Sequence, residues 1–289
     1  MKNRYRFFYC FAAVLIVSGI ASCSLYNPPE QIPAYIHIES ISLTTEPVSE
    51  GTSSHKITDA WVYVDDQLVG CFELPATFPV LFEGDHELMV RAGIKVNGIA
   101  AIRSPYPFYN SYRQSVHLQA GTTLNVSPSV TYSSITNFDF MENFDGSGIV
   151  IDSSAGSDTI MQVLHAPNPN VFEGDGSGIA WLDNTNTFFE CVSSQTYALP
   201  KGGKDVFLEF NYKSDAEFFV GVIAQPPYYL KSLALTYNPS ATWNKTYLYL
   251  TPVVSGSPGA TQFQIFFGMR NTSGADSLAL MLDNIKIVY

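Results

Sequence analysis

The stretch Tyr35-Ile36-His37-Ile38-Glu39-Ser40-Ile41-Ser42-Leu43 sets the expected fold class of this chain. Ile and Leu recur along it at alternating positions, which is typical of a strand with one buried face. Similar short runs follow, separated by polar or proline-containing turns, at Ala60–Val64, Gln67–Leu74 and His86–Ala92. We therefore predict a β-structure for the whole first part of the chain.

The second part repeats short apolar segments between turns rich in Gly, Ser, Asn and Pro, with no amphipathic helix among them. Ten such strands are predicted, at residues 148–152, 159–165, 178–182, 186–193, 205–212, 218–224, 232–237, 243–250, 262–269 and 277–288. The character of the sequence changes near residues 131–137, and 289 residues leave room for two domains of about 100–200 residues each. We predict an all-β protein with two antiparallel sandwiches, at residues 35–135 and 136–289.

The N-terminus has the composition of a secretory signal. Lys2, Arg4 and Arg6 precede an apolar run over residues 7–20, which is shorter than the ~20 residues of a membrane span. The run ends in Ile20-Ala21-Ser22-Cys23, which resembles the bacterial lipobox. The resemblance implies a signal peptide over residues 1–22, fatty acylation (palmitate) of Cys23 and a tether over residues 23–34.

The same resemblance implies attachment to the outer membrane of the cell envelope. Surface-exported lipoproteins of the Bacteroidota carry an acidic run after the lipidated Cys, whereas this window holds only Glu30. The periplasmic and the surface-exposed side of the membrane therefore both stay open.

Composition excludes one class of partner. The chain has 15 basic and 26 acidic residues and a formal net charge of −11, without a basic cluster that could neutralise phosphates. No nucleic-acid binding is expected.

Two further resemblances concern the domains. Val64-Asp65-Asp66, Ala76-Thr77-Phe78-Pro79 and Gly84-Asp85-His86 resemble the turns of PEGA-type and related immunoglobulin-like modules of bacterial envelopes. That resemblance implies an immunoglobulin-like sandwich with a structural or interaction role. The second part resembles the jelly-roll family that includes carbohydrate-binding modules, through Glu142-Asn143-Phe144-Asp145, Leu208-Glu209-Phe210-Asn211-Tyr212 and Leu280-Met281-Leu282-Asp283-Asn284-Ile285-Lys286-Ile287.

The jelly-roll resemblance implies a structural calcium ion held by Glu142, Asp145 and Asp283, whose oxygens are of the type calcium prefers. The alternative is that Asp283 caps a turn and Glu142 is solvated. No other cofactor is expected.

Two groups of aromatic residues are candidate binding residues. The loop Ser104–Tyr112 carries four aromatics among prolines, and it either packs as a lid over the end of a sandwich or contacts a partner protein. Sugar rings stack on exposed aromatic side chains flanked by amides and carboxylates, which singles out two tryptophans and a tyrosine pair behind two prolines. The candidates are Tyr106, Phe108, Tyr109 and Tyr112 in the loop, and Trp181, Trp243, Tyr228 and Tyr229 in the second part.

Catalytic motifs are not found. The five His are scattered without ligand spacing, and neither His-Glu-x-x-His nor Gly-x-Ser-x-Gly occurs. Cys71 and Cys191 are either unpaired or bridge the two parts. We expect a non-enzymatic, lipid-anchored binding or scaffold protein, an accessory component of an outer-membrane protein complex. The alternative is a glycan-binding or adhesion lipoprotein that uses the jelly-roll aromatics.

Overall fold

The computed structural model describes residues 30–227 and 229–289. Cys23 and Tyr228 therefore lie outside the described residues, as do the predicted signal peptide and most of the tether. Over the described ranges, no helix is both long and apolar enough to cross a membrane.

The first part forms a sandwich of short strands. They are β1 (Ala34–Ile38), β2 (Ser42–Thr44), β3 (Asp59–Val64), β4 (Gln67–Glu73), β5 (Ala76–Val80), β6 (Gly84–Lys95), β7 (Arg103–Pro105), β8 (Tyr112–Leu118), β9 (Thr123–Val126) and β10 (Ser129–Thr131). A short helix, α1 (Pro47–Glu50), follows β2. One layer holds β5-β1-β9 and the parallel pair β10-β2, and the other holds β4-β3-β6 with β7 and β8 both paired to β6.

The prediction of one continuous strand over residues 35–43 is wrong, because the structure has two strands there. Ile36 and Ile38 are buried in β1, whereas Ile41 and Leu43 are buried at positions of the opposite parity. A strand exposes successive side chains on opposite faces, so this change of phase requires a break. Strand β1 ends at Ile38, and β2 then joins a different sheet from β1.

The second part is a larger antiparallel sandwich. Its strands are β11 (Phe140–Glu142), β12 (Ile151–Ser153), β13 (Gln162–His165), β14 (Gly176–Leu182), β15 (Phe188–Ser193), β16 (Phe207–Ser214), β17 (Phe218–Gln225), β18 (Leu230–Tyr237), β19 (Ser240–Tyr249), β20 (Gln262–Arg270) and β21 (Leu278–Val288). A second short helix, α2 (Thr251–Ser255), follows β19. One sheet has the order β13-β14-β21-β16-β19 with β11 also paired to β21, and the other has the order β12-β15-β20-β17-β18.

The long last strand organises the six-stranded sheet. β21 pairs with β16 on one side, and with β14 and β11 on the other. Its apolar residues Leu280 and Leu282 pack in one core with Phe210 of β16 and Phe267 of β20. The predicted fold class is thus confirmed for the described residues: they are nearly all β, with an immunoglobulin-like sandwich followed by a jelly-roll sandwich.

The two sandwiches share a packed interface. Leu208 and Leu248 point into the jelly-roll core, so their neighbours Phe207 and Tyr247 point out of the same sheet. Phe207 and Tyr247 are nevertheless buried, because they belong to the hydrophobic core of the first sandwich. The first sandwich therefore covers part of the outer face of the six-stranded sheet.

Candidate functional site

The aromatic loop before β8 lies in this interface. Tyr106 is 1% exposed and Tyr109 7% exposed, and the Tyr106 ring lies 5.2 Å from Phe207 and 5.0 Å from Tyr247 between ring centroids. Phe108 and Tyr112 are half-buried. The prediction that Tyr106 and Tyr109 contact a partner protein is wrong, because both rings are used to join the two sandwiches. The loop does act as a packed cover, although what it covers is the six-stranded sheet of the second sandwich.

A buried carboxylate stands at the centre of the interface. Glu209 Oε1 accepts hydrogen bonds from the hydroxyls of Tyr106 at 2.7 Å and Tyr132 at 2.8 Å. Its Oε2 lies 3.3 Å from Lys245 Nζ and 3.9 Å from Lys286 Nζ. Burial is the largest single effect and would raise the pKa of Glu209, but the two lysines and the two tyrosine hydroxyls together hold the pKa below its ordinary value. The cluster therefore joins the sandwiches, and its polar groups are mostly engaged with one another.

The three predicted calcium ligands do not form one site. Glu142 is 6% exposed and accepts the backbone N–H groups of Phe144 and Val150, so it is buried rather than solvated. Asp145 accepts the N–H groups of Asp175 and Gly176. Asp283 accepts the Ser177 hydroxyl and the Asn284 N–H. Within the described residues, no group of three or more His, Cys, Asp or Glu side chains is placed to hold a metal ion, so the calcium prediction does not fit this arrangement.

The predicted sugar-contacting aromatics do not all lie on one sheet. Trp181 is 45% exposed and lies on β14 of the six-stranded sheet, whereas Tyr229 is 67% exposed and directly precedes β18 of the other sheet. Trp243 is half-buried, packs on Phe172 at 5.3 Å between ring centroids and joins a small apolar cluster with Ile179. Trp181 points to the same outer face as Ile179, because its neighbours Ala180 and Leu182 point into the core. The two tryptophans thus share one face of the six-stranded sheet, whereas Tyr229 lies on the other sheet.

A different aromatic surface lies on the outer face of the five-stranded sheet. Phe218 of β17 and Phe267 of β20 point into the core, so their chain neighbours Phe219 and Phe266 point outward. Phe188 of β15 lies beside Phe219, with the ring centroids 6.5 Å apart and an angle of 18° between the planes. We call the surface formed by Phe188, Phe219 and Phe266 the aromatic face; Phe188 and Phe219 are half-buried, whereas Phe266 is only 1% exposed and lies beneath the surface.

Two glycines allow these rings to lie against the sheet. A Cβ at Gly268 would collide with the ring of Phe219, and a Cβ at Gly221 would collide with the ring of Phe266. Glycine inside a strand often marks such a close approach, since it has no side chain to hold a neighbour away. The rings of Phe219 and Phe266 thus lie directly over backbone that has no side chain.

Charged and amide side chains surround the rings. The guanidinium of Arg270 lies 4.0 Å from the centroid of Phe188, and Lys231 Nζ lies 4.5 Å from that of Phe266, both cation–π contacts. Glu190 accepts from the Ser154 hydroxyl at 2.8 Å and pairs with Lys231. The face therefore presents the half-buried rings of Phe188 and Phe219, with the Arg270 guanidinium lying on Phe188 and hydrogen-bond donors and acceptors of both charges beside them.

The sequence contains one signal of this aromatic face. Phe-Phe pairs occur at residues 188–189, 218–219 and 266–267, and Gly221 and Gly268 lie within the last two strands. A pair of adjacent Phe in a strand must place one ring on each face. An isolated Gly in the same strand indicates close backbone approach.

Both cysteines of the described residues are free thiols. Cys71 is exposed on β4, whereas Cys191 is buried in the jelly-roll core. Burial raises the pKa of the Cys191 thiol. A bridge between Cys71 and Cys191 is therefore not formed.

Comparisons with known proteins give weak similarities. No protein-family model matches the chain, and no curated protein matches it. Among solved structures, the chain is similar to the carbohydrate-binding module TmCBM61 in complex with beta-1,4-galactotriose, at 13% identity and a TM-score of 0.32 over 47% of this chain and 85% of that one. It is also similar to a mutant of CBM29-2, a family 29 carbohydrate-binding module complexed with cellulohexaose, at 12% identity and a TM-score of 0.34 over 54% and 92% of the two chains. A third similar structure is the arabinose-bound α-L-arabinofuranosidase MgGH51, at 10% identity and a TM-score of 0.38 over 50% of this chain and 25% of that one.

Proposed function

We propose that this chain is a carbohydrate-binding protein that holds a saccharide on the aromatic face of its second sandwich. The observation that carries the proposal is the near-parallel pair of Phe188 and Phe219, with the Phe219 ring directly over Gly268. Sugar rings have apolar C–H faces, and such faces pack on flat aromatic rings.

The polar groups around the rings suit a saccharide as well. Sugar hydroxyls both donate and accept hydrogen bonds, and a binding site uses a few placed polar groups to fix orientation. Arg270 supplies donors, Glu190 supplies acceptors, and the amides of Gln225 and Gln264 supply both, joined to each other at 3.1 Å. With cations and an anion close together, the face favours an uncharged sugar chain over a strongly charged one.

We further propose that binding occurs without catalysis. Glu190 is held between Ser154 and Lys231, so that each of its two carboxylate oxygens already has a partner. Glycoside hydrolysis needs a second carboxyl group across the scissile bond, with one of the two kept protonated as an acid. The engaged state of Glu190 supports a binding surface instead.

The lipid anchor remains a proposal from the lipobox resemblance. Changing Cys23→Ala should move the protein from the membrane fraction to the soluble fraction and remove the acyl mass from its N-terminal peptide, as measured by fractionation and mass spectrometry. Recovery of Cys23→Ala in the membrane fraction would argue against anchoring by Cys23. This test is independent of sugar binding.

A glycan array probed with the full chain in detergent tests the binding proposal. We expect selective signals from the wild type, loss of those signals for Phe219→Ala, and no change for Tyr35→Ala, which removes an exposed ring of the first sandwich. A blank array for a folded wild type, or an unchanged pattern for Phe219→Ala, would contradict the proposal.

A scaffold role is a second candidate, supported by a different surface. Leu230 and Leu233 of β18 are more than half exposed next to Tyr229, and β18 is an edge strand of its sheet. Exposed apolar residues on a sheet edge are typical of a protein contact. Crosslinking of the native protein in cells should then depend on Leu230 and Leu233, with Leu233→Ser reducing a discrete crosslinked species that Phe219→Ala leaves in place.

A further inference from the structure

A polar cleft lies between the two sandwiches, on the side of β18 and β19. Its volume is about 230 Å³, and its walls come from both parts of the chain. The first sandwich contributes Lys56, Lys95 and Asn97, while the second contributes residues 244–247 in the middle of β19 and the end of β18. The cleft is separate from the aromatic face, which occupies the outer side of the five-stranded sheet.

The cleft is built by a short extension of the six-stranded sheet. Val96 bridges to Tyr247 in parallel, and the Asn97 N–H donates to the Tyr247 carbonyl at 2.9 Å. Asn97 has a φ of 59°, and its side-chain oxygen accepts the Tyr249 N–H at 2.7 Å. Asn tolerates this left-handed conformation better than most residues do. The wall of the cleft is therefore fixed to β19 by backbone contacts.

The charge in the cleft is opposite to that of the whole chain. Lys56, Lys95 and Lys245 line it, and no Asp or Glu is among the described residues that do so, although the chain carries 26 acidic and 15 basic residues. Clefts lined by one sign of charge concentrate ions of the opposite sign.

The lysines of the cleft are incompletely neutralised. Lys56 Nζ donates to the neutral amide of Asn244. Burial lowers the pKa of Lys56, and repulsion from Lys95 lowers it further. Lys245 is 5% exposed. Its Nζ lies 3.3 Å from Glu209 Oε2 but makes no hydrogen bond of acceptable angle with any residue of the described ranges. Lys95 has an outside partner, Glu73, at 3.0 Å. Lys245 and Lys95 thus each have a carboxylate partner, whereas Lys56 has none among the described residues and meets only a neutral amide. An entering anion would supply Lys56 with a charged acceptor.

We propose that this cleft binds an anionic group, a carboxylate or sulfate, either as a free ion or on an acidic sugar. Lys56 provides the charge that meets the anion, and the amides of Asn238 and Asn244 provide hydrogen bonds to the rest of the ligand. The site goes beyond the proposed function, because it uses none of the residues of the aromatic face.

Isothermal titration calorimetry of the full chain tests the proposal with four probes: glucuronate, glucose, sodium sulfate and sodium acetate. We expect glucuronate, or one of the free anions, to bind with an affinity that falls as salt is raised, while glucose gives no heat. Lys56→Gln should weaken that binding at least fivefold. Lys204→Gln removes an exposed lysine away from the cleft and should have no effect.

The probes also separate the two sources of the anion. Binding of glucuronate alone supports an acidic sugar as occupant, and equal binding of sulfate or acetate supports a free ion. Equal binding of glucose and glucuronate, no binding of any anion, or unchanged binding by Lys56→Gln would overturn the proposal. Asn238→Ala, at an exposed position of the wall, provides a second variant in case Lys56→Gln unfolds. Phe219→Ala should leave anion binding intact, so failure here is distinguishable from failure of the aromatic face.

Discussion

The hydroxyl of Tyr106 donates a 2.7 Å hydrogen bond to Glu209 Oε1, linking residues 103 positions apart across the interface of the two sandwiches. Both side chains are buried, and Lys245 and Lys286 lie on the other side of the carboxylate. The contact connects a loop of the first sandwich to β16 of the second. It makes the relative placement of the two sandwiches depend on a charged centre as well as on apolar packing.

Tyr106→Phe should lower the free energy of unfolding by about 1.5–3 kcal/mol, the usual contribution of a hydrogen bond to a charged group. Glu209→Gln should cost more, about 3–5 kcal/mol, because it leaves two buried lysines without their counter-charge. Urea unfolding followed by tryptophan fluorescence measures both. Tyr112→Phe is the matched control, since its hydroxyl bonds to exposed Gln114. Equal stabilities for Tyr106→Phe and Tyr112→Phe would show that the buried contact contributes nothing.

Asp283 should make the protein less stable as the pH rises. Burial raises the pKa of Asp283 from 3.8 to about 7, against the opposing effect of the Ser177 hydroxyl. Between these two values the folded state binds more protons than the unfolded state, so the free energy of unfolding falls from about pH 4 to about pH 7. Asp283→Asn should remove this fall in the free energy of unfolding.

At pH 8, Asp283→Asn should therefore be more stable than the wild type, by up to about 4 kcal/mol at ~1.4 kcal/mol for each pKa unit. Thermal unfolding at several pH values measures the difference. Asp205→Asn, at an exposed position of the same sandwich, should follow the wild-type profile. A profile of Asp283→Asn that runs parallel to the wild type would contradict the assignment.

Gly268→Ala should displace the Phe219 ring of the aromatic face. The added Cβ would collide with the Phe219 ring and approach the Phe189 carbonyl oxygen to 3.1 Å. Overpacking of this kind costs about 1–3 kcal/mol. Gly148→Ala is the control, because a Cβ there would meet no atom within 4 Å.

A double-mutant cycle identifies the colliding ring. In the Phe219→Ala background, Gly268→Ala should cost at least 1 kcal/mol less than in the wild type, since only the tight contact to the Phe189 oxygen remains. Additive effects of the two substitutions, measured by chemical denaturation, would mean that the Phe219 ring does not lie over Gly268.

The strands could be predicted from the sequence because their signal is local. Alternation of apolar residues identified β3, and short apolar segments between turns identified β16 and β21, without knowledge of their partners. The same alternation assigns Glu209 to the outer face of its sheet, where a charged residue ordinarily meets water. Only the packing of the first sandwich over that face makes Glu209 buried, and that contact is set by residues about a hundred positions away.

The aromatic face was harder to predict for a related reason. In Phe218-Phe219 and Phe266-Phe267 the sequence pattern does not indicate which ring of each pair packs in the core. The exposed Trp181 and Tyr229 were more conspicuous as single aromatics beside polar residues, yet they lie on different sheets. The glycines beneath Phe219 and Phe266 are the one local feature that distinguishes the outward rings.

The most direct test of the central claim is the affinity of the full chain for the oligosaccharide that gives the strongest array signal, measured by calorimetry for the wild type, Phe219→Ala and Trp181→Ala. If the aromatic face holds the sugar, Phe219→Ala should weaken binding about tenfold or more, equivalent to ~1.4 kcal/mol, and Trp181→Ala should stay within about twofold of the wild type because it lies on the opposite sheet. Loss of binding in Trp181→Ala with wild-type affinity in Phe219→Ala would contradict the claim and assign the sugar to the six-stranded sheet.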